Sequence, residues 1–471
     1  MLAGCGGPTV FQGTVSPIAG HVPAPTQVVQ ETPEAPAEQV QAIVGVDASL
    51  SQSAFVADEG ASFVARVRID PEALEGLPKP PVSVALVLDT SGSMAGEPLE
   101  KAKAAALEFV DALGDDDRVA LVVFHSIVET PVALRTLADG GREAVREAIA
   151  GLQATGTTEL ATGLATGLAQ VRQGLSQGAA RVVLLSDGRP NDGAPIFPTV
   201  DQAAAQGITV TALGLGLEYD EDLLGKIAQK TGGKFHFAES PDQVAQLFRD
   251  EVLALQRIVG RGAHMRIAPG PGVKIERVLG PAHSDGRTGF LIQVGDLVEL
   301  EERDVFVLLQ SEGHRAGANI EVLDVHLTFQ DALSQQARVE RAFVSARAIE
   351  SADAIERDAE VELGTARALA ADDALAAMAL ARGGELREAK KRAALAIARA
   401  KRDAVRFDDD LLRRRVEQLG DLKEALPGLV PPRAPRMAGG RPRPATEPRP
   451  APVGGGLAKR SHASAMADLG Y

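Results

Sequence analysis

The chain has 471 residues, which is too long for one hydrophobic core, so we expect two or three domains with additional tails. Its formal net charge is −15, which argues against general nucleic-acid binding through the main body. The chain contains one cysteine, so disulfides within it and metal sites built from several cysteines are excluded.

Residues 1–41 are rich in Pro, Ala, Gln, Thr and Gly without a sustained period, which is typical of a disordered spacer. Within them, "LAGC" ending at Cys5 resembles the lipobox of bacterial lipoproteins, in which the cysteine becomes the lipidated first residue. The resemblance implies an envelope protein anchored to the membrane through Cys5 and facing the periplasm or the outside. The basic and apolar regions of a signal peptide do not precede this motif here. A cysteine in a disordered tail of a cytoplasmic protein is therefore the alternative.

Residues 42–81 predict strands that end before a helix-rich region. Apolar and polar residues roughly alternate from 42 to 70, which indicates two strands of a half-buried sheet. The prolines of "LPKPP", at 77–81, then break the chain.

Residues 82–257 alternate apolar strands with amphipathic helices, which predicts a mostly parallel, doubly wound α/β sheet. Strands are expected at 82–89, 118–124, 181–187, 208–216 and 234–238, and helices at 97–113, 140–151, 159–174, 198–206, 220–231 and 241–257. A further strand at 126–134 contains Pro131, which would confine it to an edge. Ligands of such sheets gather at the carboxyl ends of the strands, so Asp89 and Asp187 should share one rim.

The remaining sequence predicts a β-sandwich, a helical region and a tail. Residues 258–346 form short alternating segments with Gly and Pro turns, and we expect the strands at 42–81 to complete their sandwich. Residues 347–426 are Ala-rich and helical, with "RGG" at 382–384 as a turn between two helices. The Pro- and Arg-rich residues 427–471 predict a disordered tail.

"DTSGS" at 89–93 places oxygen ligands at alternate positions where a buried strand ends. The carboxylate of Asp89 and the hydroxyls of Ser91 and Ser93 can converge if Gly92 lets the backbone turn tightly. Hard oxygen ligands of this kind suit Mg²⁺ or Mn²⁺ better than zinc or copper. The alternative is a serine and aspartate turn that only caps the following helices.

Two further elements extend this motif: "GTTEL" with Thr158 precedes a predicted helix, and "LLSDG" with Asp187 ends a predicted strand. In this order, the three elements resemble the von Willebrand factor type A (VWA) domain and its metal-ion-dependent adhesion site, over residues 82–257. In that family the serines bind the metal directly, the threonine directly or through water, and the aspartates often through waters. The resemblance assigns these roles to Asp89, Ser91, Ser93, Thr158 and Asp187. The adjacent Thr157 is the alternative to Thr158.

Mainly neutral ligands would leave the cation poorly neutralised, with an open position for an Asp or Glu carboxylate of a partner. We therefore predict a non-enzymatic, metal-dependent protein-binding or adhesion module on the bacterial cell envelope, with Mg²⁺, Mn²⁺ or Ca²⁺ as its cofactor. One alternative is a Mg²⁺-dependent phosphohydrolase with Asp89 as nucleophile, but Ser91 stands where a second carboxylate is usual. The other alternative is a scaffold with an inactive metal site.

Several other residues are considered and set aside. His125 follows a strand and is interpreted as a turn residue, and Glu159 as a solvated residue at a helix start. His236 is interpreted as half-exposed in a strand. The glycines of 214–226 lack the spacing of a phosphate-binding loop, so nucleotide binding is not predicted.

Overall fold

Three strands come before the α/β part of the chain. The computed structural model describes residues 44–73, 80–176, 178–188, 196–216, 219–430 and 455–471. The three strands are β1 (Val44–Leu50), β2 (Ala54–Val56) and β3 (Ala61–Pro71). Alternate residues of β3, from Phe63 to Ile69, are buried, because successive side chains of a strand point to opposite faces. The predicted spacer with Cys5 lies outside the described residues.

A six-stranded sheet forms the centre of the α/β part. Its strands are β4 (Val82–Asp89), β5 (Arg118–Phe124), β6 (Val128–Thr136), β7 (Ala179–Ser186), β8 (Thr209–Leu215) and β9 (Phe235–Ala238). They lie in the order β6-β5-β4-β7-β8-β9, and β6 runs antiparallel to β5 while the other pairs are parallel. Pro131 lies in β6, at the edge of the sheet. The predicted fold class, a mostly parallel α/β sheet, is confirmed.

Helices cover both faces of this sheet, which explains why its central strands are mostly apolar. The helices are α1 (Glu97–Ala112), α2 (Gly141–Ala150), α3 (Leu160–Arg172), α4 (Ile196–Ala205), α5 (Glu221–Thr231) and α6 (Asp242–Leu255). In β4, Leu86 and Leu88 pack with α1, α2 and α6, whereas Ala85 and Val87 pack with α3, α4 and α5. A strand covered on both faces has no solvent side, so a continuous apolar run replaces the usual alternation.

The strands after the α/β part combine with β1, β2 and β3 in two further sheets. They are β10 (Ile258–Pro269), β11 (Val273–Val278), β12 (His283–Ser284), β13 (Phe290–Val298), β14 (Arg303–Ser311), β15 (Asn319–Asp331) and β16 (Ala337–Ile349). One sheet has the order β1-β3-β14-β11 and the other β12-β13-β10-β15-β16-β2. Apolar side chains of both sheets share one core, so the sheets pack as a sandwich. The α/β part is therefore inserted between strands of one sandwich.

The C-terminal region is helical and differs from the sequence prediction in two places. Its helices are α7 (Ala359–Arg382), α8 (Leu386–Arg406), α9 (Asp410–Leu429) and α10 (Gly455–Asp468). The sequence predicts two helices before residue 426, but the chain also breaks at 407–409, where Asp409 accepts the N–H of Leu412 and caps α9. The prediction of a disordered tail over 427–471 is wrong for 455–471, because α10 packs against β9, α5, α7 and α9. None of the described helices is both long and apolar enough to span a membrane.

A buried ion network joins the α/β part to the sandwich near the start of β7. The Arg181 guanidinium pairs with Glu251 of α6 and, at 2.6 Å, with Asp296 of β13. The hydroxyls of Thr209 and Thr211 donate to these carboxylates, each at 2.7 Å. Burial alone would raise the pKa of Glu251, but the charge of Arg181, the nearby His236 and the hydrogen bonds from Arg181 and Thr211 together lower it. The network fixes α6 and the sandwich at the end of β7 opposite to the predicted metal site.

Candidate metal site at the strand ends

Asp89 is the last residue of β4 and lies beneath the rim of the sheet. Its side chain is fully buried. One carboxylate oxygen, Oδ1, accepts the N–H of Ser91 at 2.9 Å, and Oδ2 accepts the hydroxyl of Ser186 at 2.7 Å. Burial raises the pKa of Asp89 above its usual value, and these hydrogen bonds oppose that rise. Asp89 therefore connects the turn after β4 with the end of β7.

The turn after β4 presents two serine hydroxyls at the rim. Ser91 Oγ lies 3.1 Å from Ser93 Oγ, and the Ser93 hydroxyl donates a 2.8 Å hydrogen bond to Asp187 Oδ1. Gly92, between the two serines, does not have a positive φ angle. The sequence predicts that it allows a tight turn, whereas in the structure it allows a close approach of another loop. The Gly92 N–H donates to the Gly156 carbonyl at 3.1 Å, and a Cβ on Gly92 would lie 3.3 Å from that oxygen. Gly92 thus lets the loop before α3 approach the serine turn.

Thr158 completes the cluster from the loop before α3. Its side chain is 7% exposed. A Cβ placed on Gly188 would lie 3.1 Å from Thr158 Oγ1 and 3.8 Å from Ser93 Oγ, so both hydroxyls lie within 4 Å of one point beside Asp187. The structure therefore brings together the five side chains singled out in the sequence: Asp89, Ser91, Ser93, Thr158 and Asp187.

The two adjacent threonines differ in what they contact. Thr157 is exposed, and its hydroxyl lies 3.1 Å from Ser126 Oγ, which also accepts the Thr157 N–H at 2.9 Å. Thr158 instead lies buried over Gly188. Of the two alternatives left by the sequence, Thr158 is thus the one whose hydroxyl faces the cluster.

Three residues that shape the site were not identified from the sequence. The parallel pairing of Leu88 with Leu185 places Ser186 beside Asp89. In the sequence, the hydroxyl of Ser186 at the end of an apolar run could have indicated this contact. Gly188 leaves room for the Thr158 hydroxyl. Ser126 had no sequence signal, because its role depends on the loop before α3 folding back against the end of β5.

The three residues that the sequence does not assign to the metal site, His125, Glu159 and His236, lie in different surroundings. His125 is half-buried, its carbonyl accepts the Glu159 N–H at 3.0 Å, and its Nδ1 has no hydrogen-bond partner among the described residues. Glu159 is half-buried just before α3, and its side chain makes no capping hydrogen bond. Burial lowers the pKa of His236 in β9, so burial favours the neutral imidazole there.

Sequence comparison identifies the family of the α/β part. Residues 83–250 match the family model of the von Willebrand factor type A domain. The uncharacterized protein sll0103 of Synechocystis sp. is 28% identical over 270 residues, which are 54% of this chain and 63% of that protein. The human inter-alpha-trypsin inhibitor heavy chain H4 is 29% identical over 189 residues, which are 37% of this chain and 20% of that protein. The matched region is thus less than two thirds of the length of each relative.

Solved structures share the fold over most of the chain. The von Willebrand factor type A protein from Catenulispora acidiphila has a TM-score of 0.65 at 19% identity, covering 83% of this chain and 91% of that chain. The ArnB paralog VWA2 from Sulfolobus acidocaldarius has a TM-score of 0.55 at 16% identity, covering 81% and 96%. At these identities the likeness concerns the fold alone. The family model therefore identifies residues 83–250 as a von Willebrand factor type A domain, and the solved structures share its fold.

Proposed function

We propose that Asp89, Ser91, Ser93, Thr158 and Asp187 hold a divalent cation, Mg²⁺ or Mn²⁺, with Ca²⁺ as the alternative. The strongest support is the convergence of three hydroxyls and the Asp187 carboxylate, from three separate loops, on one place at the rim. Such oxygens are hard ligands, which these cations prefer. Within the described ranges, no group of three or more His, Cys, Asp or Glu side chains is placed to hold a metal ion, so this site depends on its hydroxyls.

The proposed role of the site is to bind an acidic side chain of a protein partner. VWA domains in general mediate contacts between proteins. Ser91, Ser93 and Thr158 carry no charge, and the Asp89 carboxylate is buried below the rim with both oxygens in hydrogen bonds. A bound cation would supply a poorly neutralised positive centre that attracts an Asp or Glu carboxylate. Asp187 is partly exposed, so the partner would approach from its side of the rim.

Calorimetric titration with Mg²⁺ tests the metal site directly. We expect the wild type to bind Mg²⁺ and the double variant Ser91→Ala/Ser93→Ala to lose measurable binding. Ser126→Ala is the matched control, because Ser126 is a rim hydroxyl that contacts Thr157. A wild type that binds neither Mg²⁺, Mn²⁺ nor Ca²⁺ would rule out the site. An equal loss in Ser126→Ala would assign the effect to the loop and not to metal ligation.

The partner proposal needs a separate experiment. Capture from a lysate of the source cell, with Mg²⁺ in one arm and EDTA in the other, should recover a protein that is lost with EDTA and with Ser91→Ala/Ser93→Ala. Replacing an Asp or Glu of that protein by Asn or Gln should then abolish binding. Metal binding without any metal-dependent capture would leave the site intact but reject the adhesive role.

The geometry does not favour the phosphohydrolase alternative. The proposed nucleophile, Asp89, is fully buried, and each of its oxygens accepts a hydrogen bond. A carboxylate in that position is shielded from a substrate at the rim. Turnover of a generic phosphoester that disappears in Asp89→Asn would reverse this conclusion, and metal binding without turnover supports a binding module.

We also propose that the chain is a lipoprotein of the bacterial cell envelope, anchored through Cys5. The support is the lipobox-like "LAGC" and the spacer-like composition that follows it. Mass analysis of the mature N-terminus after expression from the full gene should find a lipidated cysteine, and Cys5→Ser should leave the membrane fraction. An unmodified Cys5 in the wild type would reject this proposal.

A further inference from the structure

Helix α8 is strongly basic in an acidic chain. Its 21 residues include eight Arg or Lys and two Asp or Glu, whereas the whole chain has 49 basic and 64 acidic residues. The basic residues of α8 are Arg387, Lys390, Lys391, Arg392, Arg399, Lys401, Arg402 and Arg406. The helix therefore carries a net positive charge in a chain whose net charge is negative.

The inner side of α8 uses only some of these cations. Its buried residues are alanines, which pack against α7 and α9. Arg392 and Arg399 pair with Asp373 of α7, and Arg406 pairs with Glu362. These three guanidinium groups thus have ion pairs within the helical region.

The other five cations lie on the outer side of α8. Arg387, Lys390, Lys391, Lys401 and Arg402 are exposed. Lys391 has a loose ion pair with Glu388 at 3.8 Å, and the other four have no ion pair among the described residues. On a helix of 3.6 residues per turn, these five positions fall on one face. We call this face, with the exposed Leu395 and Val405, the basic face of α8.

Apolar side chains stand between the cations of the basic face. Val405 is 80% exposed and Leu395 is 64% exposed. Ala394 and Ala398, which lie between Lys391 and Lys401 in the sequence, are also exposed. Leu395 and Val405 are ten residues apart, or about 15 Å along the helix. Their spacing suits an extended surface better than a single pocket.

We propose that the basic face of α8 binds the surface of an anionic phospholipid membrane. A helix that lies on a bilayer typically has cations beside exposed apolar side chains on one face. The cations contact phosphate groups, and the apolar groups enter between the headgroups. A nucleic acid would also attract the cations, but α8 contains no aromatic side chain on which bases could stack. The basic face is complementary in charge to an anionic surface. The chain as a whole has a net charge of −15, so such a surface would repel much of the rest of the molecule.

Vesicle sedimentation with the full chain tests the proposal, using Cys5→Ser throughout so that no acyl chain contributes. We expect binding to phosphatidylglycerol-containing vesicles that weakens with salt, and little binding to pure phosphatidylcholine. Each cation near an anionic leaflet contributes roughly five-fold in affinity. The variant Lys390→Gln/Lys391→Gln/Lys401→Gln/Arg402→Gln should therefore bind about 600-fold more weakly.

A matched control changes the net charge equally. It replaces four partly or fully exposed cations of the VWA domain that have ion-pair partners: Lys101, Arg146, Lys226 and Arg249, each to Gln. This control should keep most of the vesicle affinity, and thermal melts should show that both quadruple variants fold. The neutral variant Leu395→Ser/Val405→Ser should reduce the binding that remains at high salt.

Equal losses in the two quadruple variants would overturn the proposal, because the effect would then follow total charge. So would absent vesicle binding, tighter binding to single-stranded RNA than to vesicles, or a salt-sensitive dimer formed through α8. None of these outcomes depends on the metal site, which Mg²⁺ titration reports separately.

Discussion

Replacing Arg181 with methionine removes a cation that serves two buried carboxylates. Methionine has a side chain of similar length, so the change leaves Glu251 and Asp296 without their positive partner but creates little empty space. The three side chains are 6%, 2% and 1% exposed, so water cannot replace the lost contact without opening the junction. We therefore expect a large loss of stability from a residue far from the proposed metal site.

The magnitude follows from the burial of these groups. Removing one partner of a buried ion pair costs about 3–5 kcal/mol, because the remaining charge is left uncompensated. Here two carboxylates lose their cation, but each keeps a threonine hydroxyl bond, so we expect about 4 kcal/mol at pH 7.5. The melting temperature should fall by on the order of 10 °C.

The pH dependence has a definite sign. In the wild type, the lowered pKa of Glu251 contributes stability that is present above its unfolded value, near 4.5, and lost as the pH falls through the folded value. In Arg181→Met, burial acts without the opposing cation and raises the pKa of Glu251, so the carboxyl gains a proton on mild acidification. The difference in free energy of unfolding should therefore be largest at pH 7.5 and smaller at pH 5.

Urea denaturation of both proteins at the two pH values measures this difference. Arg249→Met is the matched control, because Arg249 of α6 also pairs with a carboxylate, but its ion pair with Glu108 of α1 at 2.7 Å is exposed. An exposed pair contributes roughly 1 kcal/mol or less. If Arg181→Met costs no more than Arg249→Met, or if its cost is the same at both pH values, the reasoning about the buried network is wrong.

Three further predictions concern the rim and α10. Thr158→Ala should weaken Mg²⁺ binding in calorimetry at least about 10-fold while Thr157→Ala changes it little, and equal effects would contradict the assignment. Lys459→Met removes a buried cation that pairs with Glu221 at 3.0 Å, so hydrogen exchange should show faster opening of α10. Burial lowers the pKa of His462 to about 4, so stability of the α10 contact should fall as the pH drops from 6.5 toward 4, and protection factors of α10 that stay constant over that range would refute this.

The α/β part was predictable because local and global signals agree there. A strand covered on both faces favours a continuous apolar run, and residues 84–88 of β4 and 182–185 of β7 are such runs. The site residues could be singled out because "DTSGS", "GTTEL" and "LLSDG" occur in a characteristic order. What the sequence could not supply was the contact between loops, since the Thr157–Ser126 hydrogen bond depends on how two distant loops fold together.

Two features of the helical region, the break before α9 and the helix α10, were not predicted from the sequence. The break before α9 depends on one capping residue, Asp409, within a segment whose helix propensity hardly changes. In α10 the composition is only moderately apolar, and its contacts are made by a few side chains such as Lys459, His462 and Met466. Polar residues that become buried through ion pairs leave no apolar period, so the pattern resembled a solvated tail.

The position of α10 links the end of the chain to the rim that carries the proposed metal site. Lys459 donates to the Tyr219 carbonyl at 2.6 Å and lies 3.5 Å from the centre of its ring, just after β8. The strand β8 pairs with β7, with Gly214 beside Ser186, and Ser186 directly precedes Asp187. The loop held by α10 is therefore one strand away from the loop that carries the Asp187 carboxylate. Because Lys459 is buried and charged, its contact with Tyr219 can form only while α10 is docked, so the order of the chain at Tyr219 should depend on the local stability of α10.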